Sequence, residues 1–204
     1  MDKQKFWQII EETKAECKGN IEGMADALEE KLKTYSLEEV QKFCGIFDTY
    51  HKAADQEGVI SVGNHMNHDM LTDDGFIDFR NWLIAQGKEV YMEALKNPEI
   101  LADESIESVS GWYEYETFGY VGMHVVEHMT GDFKKSFVSL EPEEKQDILS
   151  EIEYGEYTKS RMTAEEFESK FPKFTERSWS CTVLRACPLR MPAVCWEYLN
   201  QRPK

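Results

Sequence analysis

Apolar residues recur along this chain in threes and fours, the spacing of helices that each bury one face. Phe6, Trp7 and Ile10 share a side after Asp2, a residue type suited to an N-cap. From Asn20, a second stripe runs through Ile21, Met24, Ala25, Leu28 and Leu32. Ser36 and Glu39 have the spacing of a capping box ahead of Leu37, Val40, Phe43, Cys44 and Phe47. That pattern predicts a third helix to about Asp55, interrupted at Gly58. Val59, Val62, Met66 and Met70 then mark a weaker helical segment.

The stretch LTDDGFIDFRNWLIAQG, residues 71 to 87, places two adjacent acids before three aromatics. Thr72 or Asp73 is a natural N-cap, and Asp74 falls in the first turn, where the helix dipole favours an acid. Phe76, Phe79 and Leu83 follow at i, i+3 and i+7, flanked by Trp82 and Ile84, and Gly87 supplies a left-handed stop. Every unusual residue except Arg80 thus has a structural role, so the stretch reads mainly as a well-capped core helix. Lys88 to Leu95 predicts a short helix closed by Asn97-Pro98.

Beyond Pro98, Val109, Tyr113, Thr117, Val121, Val125 and His128 trace one possible face that ends at Gly131. Gly111, Gly119 and Gly122 oppose it, each costing ~1 kcal/mol against Ala inside a helix. Another helix starts at Glu141-Pro142 and carries Ile148 and Ile152, with proline at the tolerated first position. Thr163 and Glu166 form a second capping box, before a segment that Pro172 ends. No segment alternates like a strand between hairpin turns. The expectation is an all-α protein: one compact multi-helix domain over residues 1–170, then an irregular basic extension over 171–204.

Charge sharpens that division. The 204 residues carry a formal net charge of -16. From Lys170 onward, seven Lys and Arg meet only Glu176 and Glu197, a local net of +5, so the first 169 residues carry -21. Phosphate backbones repel such a body, so nucleic-acid binding is not expected. A basic protein is the better-matched partner, since complementary fields speed encounter; acidity that only maintains solubility is the plainer alternative. The N-terminus is charged throughout, unlike a secretory signal, and no run nears the ~20 apolar residues of a membrane span. The five cysteines, at 17, 44, 181, 187 and 195, include no C-x-x-C pair, so reduced thiols in a cytoplasmic protein are expected.

Asp73 and Asp74 lead into Phe76, Phe79, Arg80, Trp82, Leu83, Ile84 and Gly87, followed by Tyr91, Ala94, Leu95 and Pro98. This order resembles the core of the bacterial family catalogued as domain of unknown function 4240. The N-terminal FWQIIEE and the EEVQKF helix also resemble that family's opening, and the likeness covers roughly residues 1 to 130. It implies a helical domain and brings no settled chemistry. The basic, cysteine-bearing extension has no counterpart in the pattern.

Three groups of residues carry candidate chemistry. HVVEH, residues 124 to 128, fits the H-x-x-E-H spacing of inverted zinc proteases. On a helix, His124 and His128 would share a face as zinc ligands, Glu127 would activate water, and Glu151, Glu153 or Glu156 would complete the site. Two ordinary helix histidines are the competing reading. His65, His68 and Asp69 form another potential metal corner without an apparent third anchored ligand. Asp73, Asp74 and Arg80 are candidate ligand-binding residues. Asp73 and Arg80 lie about 10 Å apart by helical rise, too far to pair but able to line one pocket. A buried Arg80 bonded to carbonyls, or to an acid from a neighbouring helix, is the competing structural reading. The leading functional expectation is a non-enzymatic domain that binds a basic protein, with an immunity-type role; the alternative is a zinc-dependent hydrolase built on the HVVEH helix.

Overall fold

Several of the helices start where a short side chain satisfies one of the first backbone N–H groups. Asp2 accepts from the Lys5 amide to begin α1 (Lys3–Cys17), and reciprocal Ser36–Glu39 bonds begin α3 (Leu37–Ala53). Thr72 accepts from the Gly75 amide to begin α5 (Asp73–Ala85). The computed structural model describes residues 1–103, 105–156 and 162–176. The other helices are α2 (Met24–Leu32), α4 (Glu57–Met66), α6 (Lys88–Lys96), α7 (Glu116–Thr130), α8 (Pro142–Leu149), α9 (Ala164–Lys170) and α10 (Pro172–Glu176). Among the described residues the fold is all-α, with no β element beyond an isolated Val109–Trp112 bridge. None of these helices is long and apolar enough to cross a membrane.

Helix α7 is the centre of the bundle and packs on α2, α3 and α5. Its face of Phe118, Val121, Val125 and Val126 is buried. Gly119 and Gly122 lie within it because the neighbouring helices come so close. A Cβ on Gly122 would sit 2.6 Å from Cys44 Sγ, and one on Gly119 would strike the Asn81 amide. The expected propensity cost is real, but it is the condition for this approach. Tyr115, just before α7, donates to the Ile21 carbonyl at 2.7 Å and accepts from the Ala25 amide at 3.0 Å, tying α7 to the start of α2.

A second focus is aromatic. Trp7, Tyr50 and Tyr91 from α1, α3 and α6 lie with ring centroids 4.8 to 5.5 Å apart. The Tyr91 hydroxyl donates to the Tyr50 carbonyl at 2.6 Å. Tyr50 in turn donates to Glu151, which also receives Lys88 Nζ at 3.0 Å. Burial, with Glu151 alongside, pushes the Tyr50 hydroxyl pKa up and keeps it a donor.

Several boundaries differ from the sequence expectation. Helix α4 begins before Gly58 and stops at Met66, because His68 and Asp69 both adopt left-handed backbone angles (φ 58 and 59) and turn the chain. Met70 is therefore 59% exposed rather than part of the core stripe. Asn20 makes no cap bond, and a 3-10 turn over Ile21–Gly23 precedes α2. Helix α7 starts at Glu116, so Val109 and Tyr113 lie in the preceding turn, and Thr117 and His128 face solvent. Gly87 has a positive φ of 94 but extended ψ, and links α5 directly to α6. Phe171 and Phe174 are buried against the helical body. The remainder of the basic extension, residues 177–204 with Cys181, Cys187 and Cys195, lies outside the described residues.

Candidate functional site

Helix α5 is a wall with a cavity on each side. Phe76 and Arg80, one turn apart, face a cleft of about 860 Å3 bounded by α4 and α9. Ile77 and Asn81, one residue further round, face a groove of about 520 Å3 between α3 and α7. The buried stripe of Phe79, Trp82 and Leu83, each 0% exposed, holds the wall in place.

Asp73 and Arg80 do line one cavity, the cleft, while Asp74 does not. The Arg80 guanidinium lies 4.8 Å from the Phe76 ring centroid and the residue is 9% exposed. Its Nε donates to the Phe76 carbonyl at 3.4 Å and Nη1 to the His51 carbonyl at 3.3 Å. Asp55 Oδ2 stands 3.7 Å from Nη1, a charge contact outside hydrogen-bond range. Desolvation is the main influence on the guanidinium and pulls its pKa below the ordinary value, with Asp55 opposing. The rest of the cleft is mixed: Asp69 and Glu168 join Asp73 as acids, and Ile60 and Phe167 supply apolar walls. His65 lines it too, its ring stacked on Phe167 at 4.5 Å.

Asp74 instead acts on Asp78, one turn along α5, as do Glu114, just before α7, and Glu116, its first residue. Partial burial, then repulsion from Glu116, Glu114 and Asp74, pushes the Asp78 carboxyl up to about 6. Asp78 accepts from Asn81, which lines the groove together with Gly119, while the charged side chains of the groove lining itself are Asp48, Lys52 and Lys145. The groove floor is aromatic, with Phe43, Phe47 and Phe118. Its rim is both apolar and exposed: Ile77 42%, Tyr120 44%, Val138 37% and Phe137 72%. Phe137 follows a 3-10 turn, Phe133–Ser136, which Gln41 fixes by donating to the Lys135 carbonyl at 2.7 Å. Cys44 also lines the groove, where burial pushes its thiol up to about 12; that thiol is protonated and weakly nucleophilic at neutral pH.

His51 belongs to the groove and is tied to the cleft through Arg80. Its ring lines the groove and stacks on Phe47 at 6.2 Å. Nε2–H donates to the Ile77 carbonyl at 3.0 Å, while the His51 carbonyl accepts from Arg80 of the cleft. Burial, with the Arg80 charge nearby, lowers the imidazole pKa and favours the neutral ring.

The HVVEH residues are arranged differently. His124, Glu127 and His128 all face solvent on α7, and His124 lies against Tyr120 with ring centroids 6.2 Å apart. Among the described residues no group of three or more His, Cys, Asp or Glu is placed to hold a metal ion. Neither His124 with His128 nor His65 with Asp69 gains a third ligand there.

The family described as Protein of unknown function (DUF4240) matches residues 1–127, from α1 through most of α7. The chain belongs to this family. No curated protein and no solved structure matches it. In this DUF4240 chain the matched span contains the α5 wall, Arg80, His51 and the aromatic floor of the groove. The exposed rim at Phe137 and Val138, and α9 across the cleft, lie beyond it. The groove was not foreseen from sequence. Gly119 and Gly122, three apart in a helical pattern, were its one local signal, since glycines so spaced permit close approach.

Proposed function

We propose that this protein binds a basic protein through the groove between α3 and α7, as an immunity-type partner in the cytoplasm. The carrying observation is the exposed apolar rim of the groove, Ile77, Tyr120, Phe137 and Val138. Phe137, at 72% exposure, is an unburied anchor of the kind that dominates binding energy when a partner covers it. Asp78, under the charges of Asp74, Glu114 and Glu116, accepts a hydrogen bond from Asn81 of the groove lining. Partial burial, and then repulsion from Glu116, Glu114 and Asp74, raises the Asp78 carboxyl, and lysines or arginines of a partner would offset the repulsive part. The net charge of -16 extends the attraction beyond contact distance.

The test is co-expression with basic proteins encoded by neighbouring genes, followed by binding kinetics across ionic strength. The on-rate should fall steeply with salt while dissociation changes little. Phe137→Ala should instead speed dissociation, since docked aromatic anchors govern residence time. An on-rate indifferent to salt, or a complex insensitive to Phe137→Ala, would remove this reading.

A further inference from the structure

We infer that the second cavity, the cleft between α4, α5 and α9, binds a small zwitterion whose carboxylate is held by Arg80 and whose cationic group is held by the acidic rim. The starting point is an incomplete hydrogen-bond inventory. A guanidinium carries five N–H donors. Arg80 uses one on Phe76 and one on His51, at 3.4 and 3.3 Å, both long for N–H···O bonds. Among the described residues its Nη2 donors have no protein acceptor, and its nearest carboxylate, on Asp55, is 3.7 Å away with a side chain 60% exposed. Nη2 is not a fully buried atom, so the unused donors of this largely buried side chain open on the solvent of the cleft, where their pairing is weaker than a matched acceptor would give. Since Arg80 lines the cleft, a carboxylate bound there would supply the acceptors in the bidentate geometry the fork favours. Phe76 already holds the guanidinium plane from one face, 4.8 Å away.

The remaining lining selects the rest of the ligand. Asp55, Asp69, Asp73 and Glu168 line the same cleft as Arg80, four carboxylates to one guanidinium, with Asp55 the one that stands near it. A phosphate or dicarboxylate would meet net repulsion, and a simple monocarboxylate would leave the rim uncompensated. A molecule that adds an ammonium or guanidinium group satisfies both halves. Ile60, Phe76 and Phe167 offer apolar surface for the body between them, and about 860 Å3 is ample for a molecule of amino-acid size.

The experiment is a screen of the full-length protein against the proteinogenic amino acids and short ω-amino acids. Each probe is paired with its carboxamide and its des-amino acid, and inorganic phosphate is included. Melting temperature and the Arg80 Nε–H resonance are the readouts. At least one zwitterion should raise Tm by about 5 °C near saturation and move the Arg80 signal, and its carboxamide should do neither. Arg80→Lys, which keeps the charge but loses the fork, should weaken that zwitterion by about tenfold. The double variant Asp73→Asn with Glu168→Gln alters two exposed side chains and covers the case in which Arg80→Lys fails to fold. It should weaken the zwitterion while strengthening the des-amino acid. No response to any zwitterion, a double variant with unchanged preference, or tighter binding of phosphate would overturn the assignment.

Discussion

The two cavities share the α5 wall, yet they solve opposite problems. The cleft takes a charged group out of water: Arg80 is 9% exposed, with two carbonyls and a distant Asp55 for company. The groove leaves apolar groups in water: Phe137 is 72% exposed and Tyr120 44%. Each arrangement is unfavourable as it stands, and each would be relieved by a different kind of molecule. A buried guanidinium asks for an anion of matching shape, whereas an exposed ring asks for an apolar surface to cover it. One helix presents both because residues 76 and 80 lie one position round from 77 and 81, a rotation of roughly 100°.

The strongest way to break the comparison is to remove the wall. Phe79 is 0% exposed, and a Cβ on Gly63 of α4 would lie 3.0 Å from its ring. Phe79→Ala should cost about 3–5 kcal/mol in denaturant unfolding and weaken both cavities together. A smaller effect, confined to the groove, is expected from Phe137→Ala. It should cost about 2 kcal/mol or more in partner binding and change folding stability by no more than about 0.5 kcal/mol. Equal losses in both measurements would show that Phe137 supports the fold instead.

Gly122→Ala tests the close approach of α3 and α7. The added Cβ meets Cys44 Sγ at 2.6 Å, so overpacking of about 1–3 kcal/mol should outweigh the ~1 kcal/mol gained in helix propensity. A stabilised variant would show that the helices have room to separate. The smallest expected effect is electrostatic. Asp78 has a folded-state pKa raised to about 6 from 3.8, so the folded chain holds its proton more tightly than the unfolded chain does. That contribution is fully present below about pH 4 and is lost as pH rises through 6. Asp78→Asn should therefore raise Tm slightly at pH 7 relative to the parent, and the difference should shrink as pH falls below 6. A difference that does not change with pH would mean that neither burial nor the nearby Glu116, Glu114 and Asp74 raises the Asp78 carboxyl in the folded chain.

The starts of α1, α3, α5 and α9 were legible in the sequence because each cap is a local event, a side chain reaching an amide three residues on. The core stripes of α2 and α5 were legible for a related reason, since burial follows a fixed period. Met70 fitted such a stripe but was misplaced, because two consecutive left-handed residues, His68 and Asp69, end the period before it. The cavities were less accessible to sequence reasoning. Asp73 and Arg80 could be placed on one helix face, but α9 completes their cleft from more than eighty positions away. The groove depends on pairing Cys44 with Gly122, and Asn81 with Gly119, and no local periodicity reports such pairings. HVVEH shows the converse: His124 and His128 have ligand spacing on α7, yet they point into solvent.

His51 gives the two cavities a shared thermodynamic fate. Its carbonyl receives Arg80 from one side, while its ring reaches Ile77 and Phe47 on the other. A molecule that draws the Arg80 fork toward itself competes with the His51 carbonyl for the same donor. A partner that covers the groove presses on the ring of that same residue. Where the two events change each other's affinity, they do so by one factor in both directions, because linkage is reciprocal. The protein would then act as a conditional binder, its grip on a partner set by the supply of a small metabolite.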